Sequence, residues 1–262
     1  MTEDSGVDGS DRRGSGAPGP FVTTGDLDPV TAGPKAAAEP SAGDARKSVS
    51  GRTVIVAGAS SESGYTVSRA LLAAGARVVA ISSGRTGLDA LSSRLPAVDA
   101  RLCDLSDTEA VAELGEMIRT RYGNVDGLIH LVGGWSGGGG LVGQSDEDWE
   151  TLDRSFTTLR VTTREFYPDL VASPGGRLAI VSSTSVENPA PGGANYAAAK
   201  AAAETWVRAI ARGFAKTGST AAATIFVVSA LAGLEPTLAK RVVALWAGSQ
   251  AELNGARIPL AA

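Results

Sequence analysis

The chain has little of what many sites are built from. Its 262 residues include one cysteine, one histidine and two methionines, and only 5% are aromatic. A lone Cys103 excludes an intramolecular disulfide framework, and one Cys with one His cannot supply an ordinary four-ligand zinc site. Excess positive charge is missing as well: 24 Lys and Arg stand against 28 Asp and Glu, a net charge of -4, with a pI near 5.2. That balance offers no field to a polyanion and argues against nucleic acid as a partner. The most apolar stretch, Ala221 to Leu234, is too short to span a bilayer and is broken by Ser229, so no membrane partner is expected. The opening MTEDSGVDGS is acidic and polar where a secretory leader would be basic and then apolar. Together these features predict a cytoplasmic protein.

What the chain does have is small and apolar residues: 33 glycines, and 43% of positions hydrophobic, enough for one sizeable core. Residues 1–50 stand apart, with eight Gly, five Pro, a single aromatic at Phe21 and no hydrophobic period. Such a stretch cannot bury enough surface to offset its chain entropy and reads as a disordered tail. From Gly51 to the end, seven short apolar runs alternate with amphipathic stretches. The runs are 52–58, 77–81, 99–105, 127–133, 177–183, 221–228 and 256–260. Most are nearly continuous in hydrophobicity, as in parallel strands covered on both faces. Helix starts are legible between them: Ser106 to Glu109 has capping-box form, and Ser145 to Asp148 places acids in a first turn. The alternation implies a single α/β domain over 51–262, a doubly wound parallel sheet.

Two constellations carry chemistry. The first strand runs into GASSESG, in which Gly58 and Gly64 bracket a tight turn that opens a helix. Bare amides and the helix dipole at such a turn can hold a pyrophosphate, with Ser60 and Ser61 beside it. In the second, Ser183 ends the fifth strand, Tyr196 follows 13 residues later, and Lys200 comes four after that. Residues four apart share a helix face, with Cβ atoms roughly 5–6 Å apart. An ammonium at that distance favours a phenolate by ~3 kcal/mol at an effective dielectric near 20. The spacing therefore predicts a tyrosine whose pKa is lowered toward acid–base duty.

The glycine turn, Asp104-Leu105 after the third strand, GGRLAIVSS and NYAAAK occur in the order and spacing of the short-chain dehydrogenase/reductases, which residues 51–262 resemble. The resemblance implies a Rossmann-type, seven-stranded parallel sheet binding NAD(P), in a homodimer or homotetramer. It assigns Tyr196 to proton exchange with a carbonyl or alcohol substrate. Lys200 would hold the nicotinamide ribose, and Ser183 would hydrogen-bond the reacting oxygen. Asp104, Leu105 and Gly133 would line the cofactor site.

Cofactor choice turns on another absence. NAD-preferring folds place an acid about 20 residues past the glycine turn, on the ribose 2′-hydroxyl. From Tyr65 to Leu88 there is none, and the second strand leads into Ser82, Ser83 and Arg85, groups suited to a 2′-phosphate. NADP is the expected cofactor, with NAD as the alternative. Four departures from the family pattern complicate catalysis: Glu62 at the middle glycine, His130 and Leu131 at the family's Asn pair, Phe156 at its relay Asn, and a short LAGLEP (231–236) in place of a covering insertion. A carboxylate about 5 Å from a pyrophosphate would cost ~3 kcal/mol, so Glu62 either turns outward or replaces the phosphate at the helix start. The segment VDGLIHLVGGWSGG is similar to the dihydropteridine reductases, which makes Trp135 a candidate for stacking on a planar substrate. Three readings follow: a carbonyl or alcohol oxidoreductase, a pteridine or quinonoid reductase, and a non-catalytic scaffold of the same fold.

Overall fold

The computed structural model describes residues 48–261 and Gly43. The tail expected over 1–50 lies outside the described residues, apart from Gly43 and its last three positions. Of those, Val49 is fully buried, and its carbonyl accepts from the Arg52 amide at 3.2 Å. Packing thus begins at or before Val49.

Seven parallel strands form one sheet in the order β3-β2-β1-β4-β5-β6-β7. They are β1 (Thr53–Ala57), β2 (Arg77–Ser82), β3 (Asp99–Leu102), β4 (Gly127–His130), β5 (Arg177–Ser183), β6 (Ala222–Val228) and β7 (Arg257–Pro259). Each coincides with one of the apolar runs. The third and fourth stop three residues short of their runs, because the chain bends away at the cleft described below. Between the strands lie α1 (Glu62–Ala73), α2 (Arg85–Arg94), α3 (Thr108–Tyr122), α4 (Asp146–Ala172), α5 (Ala194–Thr217), α6 (Glu235–Ala244) and the short α7 (Gln250–Leu253).

Alternate residues of each strand face opposite layers, and both layers are apolar. Val54 and Val56 of β1 pack with Val67 and Leu71 of α1 and with Leu238 and Val242 of α6. Ile55 and Ala57 point the other way, toward Ile118 of α3, Phe166 of α4 and Phe214 of α5. This two-sided burial is why the runs show no polar alternation.

Two caps differ in kind. Ser145 caps α4 as its sequence suggests, accepting from the Asp148 amide at 3.1 Å. At α3, however, Asp107 is the cap, accepting from Glu109 and Ala110 amides at 2.9 and 3.2 Å. Ser106 is drawn off by Asp104, to which it donates from its hydroxyl at 2.7 Å. The order of the strands reverses at β1, which pairs with β2 on one side and β4 on the other. In such sheets the crevice beyond the strand ends at this point is where a ligand is received.

Candidate active site

At the end of β1, Gly58 adopts φ 78°, and a Cβ there would meet the Leu131 carbonyl carbon at 2.9 Å and the Val132 amide at 3.0 Å. A Cβ on Gly64 would lie 2.5 Å from the Gly58 carbonyl oxygen. The turn is therefore packed backbone against backbone, which only glycine permits. Ser61 caps α1, accepting from the Gly64 amide at 3.0 Å. The amides of Glu62 and Ser63 have no partner among the described residues, so the helix start is free to bind an anion. The Glu62 side chain turns outward, 3.9 Å from the Arg94 guanidinium on the surface. It does not occupy the anion position.

A cleft of about 420 Å³ opens from this turn. Its walls bring together Gly58, Ser60, Ser61 and Ser82 with Ser83, Asp104, Leu105 and Gly133. The Ser60 and Ser82 hydroxyls are 2.9 Å apart. Arg85 is outside this lining; it starts α2, exposed. Asp104 accepts from the Ser106 hydroxyl and amide and, at 2.6 Å, from Arg154 on α4. The Ser106 bonds, with Arg154 adding to them, hold its carboxyl below the usual range. Arg154 is a cleft residue that sequence reasoning missed, since its partner lies 50 positions away.

A second cleft, of about 440 Å³, gathers Ser183, Tyr196, Lys200 and Trp135. It shares Ser61, Leu131, Val132 and Gly133 with the first, so the two clefts adjoin. Ser183 is buried at the end of β5, its hydroxyl 3.1 Å from that of Ser185. Tyr196 and Lys200 are one turn apart on α5, as their spacing requires, with the ammonium 5.7 Å from the phenol ring centre.

The expected lowering of the Tyr196 pKa is not present. Burial raises it, and a hydrogen bond with Ser183 opposes that rise. Lys200 instead donates to the Val181 carbonyl at 2.9 Å. Burial pushes its own pKa down to about 8, against the pull of Glu204. In this state the phenol keeps its proton. Glu204 is a second residue missed from sequence, although Tyr196, Lys200 and Glu204 repeat at four-residue intervals. It is fully buried, accepting from Ser182 at 2.7 Å and from Arg257 at 2.9 Å.

His130 is a structural residue. Its Nε2 lies 3.0 Å from the Thr158 hydroxyl, and burial, with Lys200 nearby, pushes its pKa down to about 3. It is neutral and joins β4 to α4. Phe156 packs edge-on against Trp206, ring centres 6.4 Å apart, and borders a small cavity of about 30 Å³ that Tyr196 and Lys200 also line. Trp135 is 68% exposed and lines the second cleft together with Leu231 and Ala232.

A doubly wound sheet with a glycine turn at its switch point defines a Rossmann-type nucleotide fold. The chain belongs to the short-chain dehydrogenase family of oxidoreductases, whose model matches residues 52–237. It is 31% identical over 175 residues to a 2,3-dihydroxy-2,3-dihydro-p-cumate dehydrogenase of Pseudomonas putida, covering 65% of this chain and 68% of that one. Against the 3-oxoacyl-acyl-carrier-protein reductase FabG of Escherichia coli it is 27% identical over 172 residues, covering 65% and 70%. A metagenomic short-chain oxidoreductase solved in complex with NADP superposes with a TM-score of 0.69 at 24% identity, covering 82% of this chain and 99% of that one. Among the described residues no helix is long and apolar enough to cross a membrane, and no cluster of three or more metal-ligating side chains occurs.

Proposed function

We propose that the chain is an NADP-dependent oxidoreductase that interconverts a carbonyl and an alcohol, with Ser183, Tyr196 and Lys200 as its reacting residues. One observation carries this reading: the three side chains line the same cleft as Ser61 and Ser63 of the open glycine turn, and that cleft adjoins the one bordered by Gly58 and Ser60. The turn fits a dinucleotide, because two unpaired amides and a helix dipole converge where Glu62 has turned away. NADP is favoured over NAD by the Ser60, Ser82 and Ser83 hydroxyls, by the exposed Arg85 that starts α2 two residues past Ser83, and by the absence of any acid from Tyr65 to Leu88. The solved NADP complex of the metagenomic relative agrees with this choice.

When bound, the nicotinamide would supply or accept the hydride. The chain's own residues manage the proton. Ser183 donates a hydrogen bond to the substrate oxygen, placing it within reach of the Tyr196 hydroxyl. Tyr196, which burial keeps protonated, delivers its proton to that oxygen in the reducing direction. Lys200 sits one turn below and stabilises the phenolate left behind, a task that requires its ammonium to leave the Val181 carbonyl or to bridge from it. Tyr196→Phe removes only the acid. NADPH affinity should stay within about twofold while turnover falls by roughly 10²–10⁴; unchanged turnover would dismiss the mechanism.

A second reading concerns the substrate. Trp135 presents an exposed indole to the reacting end, and a flat pteridine or quinonoid ring would stack on it. The family resemblance also carries an expectation of a homodimer or homotetramer, which light scattering on the purified chain measures. The scaffold reading loses its main support, because Glu62 does not fill the anion position.

A further inference from the structure

The loop from Gly133 to Gly143 contains seven glycines in 11 residues, five of them at positive φ. A segment of that composition has the largest backbone entropy to lose on ordering, yet it carries Trp135 into the lining of the cleft that holds Tyr196. Something must hold it, and the hydrogen bonds converge on one side chain. The Gln144 amide nitrogen lies within hydrogen-bond distance of three carbonyls, Gly138 at 3.0 Å, Gly140 at 3.2 Å and Gly192 at 3.0 Å, so that one of its two hydrogens is shared between two of them. Its carbonyl oxygen accepts from the Asn195 amide at 3.0 Å.

The far side of these contacts is the start of α5. That helix has Gly193 as its cap residue and no side-chain cap of its own. The Gln144 oxygen takes this place from 51 positions away. Asn195 answers by donating to the Ser145 carbonyl at 3.1 Å, and the Gly138 amide donates to the Gly192 carbonyl at 2.8 Å. The seam leaves no room for a side chain, since a Cβ on Gly137 would lie 2.5 Å from the Gly192 oxygen. Tyr196 is the next residue after Asn195. The segment between β6 and α6, Ser229 to Leu234, is short, and its first four residues also line the cleft that holds Tyr196.

We propose that Gln144 is a positioning residue of the reacting end, fastening the glycine-rich loop that carries Trp135 to the first turn of the helix that carries Tyr196 and Lys200. A primary amide is suited to this, since it donates twice and accepts at once. A carboxylate in its place accepts from Asn195 but cannot donate to the loop carbonyls, and a thioether does neither usefully. The catalytic consequence, that substrate contact on the loop and placement of the phenol are coupled, rests on the roles proposed above for Trp135 and Tyr196.

The test uses the full chain, with amide exchange at Gly138 and Asn195 and the ring carbon resonance of Tyr196, assigned by its loss in Tyr196→Phe. In Gln144→Met both amides should exchange at least tenfold faster and the Tyr196 resonance should move. In Gln144→Glu, Gly138 should quicken by the same factor, while Asn195 stays within threefold of wild type and Tyr196 keeps its resonance. That split also separates a local effect from general loss of fold. Unchanged exchange in Gln144→Met, an unmoved Tyr196 resonance, or a Gln144→Glu protein that behaves like Gln144→Met would overturn the proposal. Failure of the wild type to bind NADPH would overturn the functional reading above and leave the exchange rates to judge the clamp.

Discussion

His130 shows what a single buried side chain does here. Neutral inside the fold, with its pKa near 3 against an ordinary 6.5, it takes up a proton only when the chain unfolds. The unfolded state therefore binds more protons between pH 6.5 and 3, and stability falls as pH falls across that window. The contribution approaches about 1.4 kcal/mol for each pH step of one. Because the chain has no other histidine, His130→Asn should flatten the dependence between pH 6.5 and 5, where most carboxylates are still ionised. Denaturant unfolding at several pH values measures this, and parallel curves for the two proteins would show that His130 carries no such penalty. The Tyr196 and Lys200 pair was legible because i, i+4 spacing fixes a shared helix face whatever the fold. Where the ammonium points was not: the Val181 carbonyl that holds it lies 19 positions away on another element.

The strand–turn–helix unit from β1 to α1 is the element to which the proposed function assigns nucleotide binding. Gly64 sits where the helix backbone touches the turn, and a methyl group there meets the backbone of Gly58 and Ala59. Backbone cannot yield as a flexible side chain does, so Gly64→Ala should destabilise the fold by about 1–3 kcal/mol. It should also weaken NADPH binding at temperatures where the protein is still folded. Full nucleotide affinity in a Gly64→Ala protein would mean that the turn is not the phosphate site. All seven strands could be read from sequence, since burial on both faces leaves continuous apolar runs. The cap of α3 was misplaced by one residue because Asp104 competes for Ser106, a contest no local pattern reveals. The clamp at Gln144 was likewise invisible, since it joins a loop to a helix through contacts 48 and 51 positions apart.

For the molecule as a whole, the sheet's switch point puts two adjoining clefts together, one bordered by the glycine turn and one holding a phenol, a hydroxyl and an ammonium. Neither accounts for redox chemistry alone. The proposed function needs one extended ligand that reaches both past their shared lining, Leu131 to Gly133. The most direct measurement is a tryptophan-fluorescence titration of the full chain with NADPH and with NADH, repeated on Arg85→Ala. The account predicts saturable binding of NADPH, at least tenfold tighter than NADH, with the gap narrowed in Arg85→Ala. No binding of either nucleotide at millimolar concentration would contradict it.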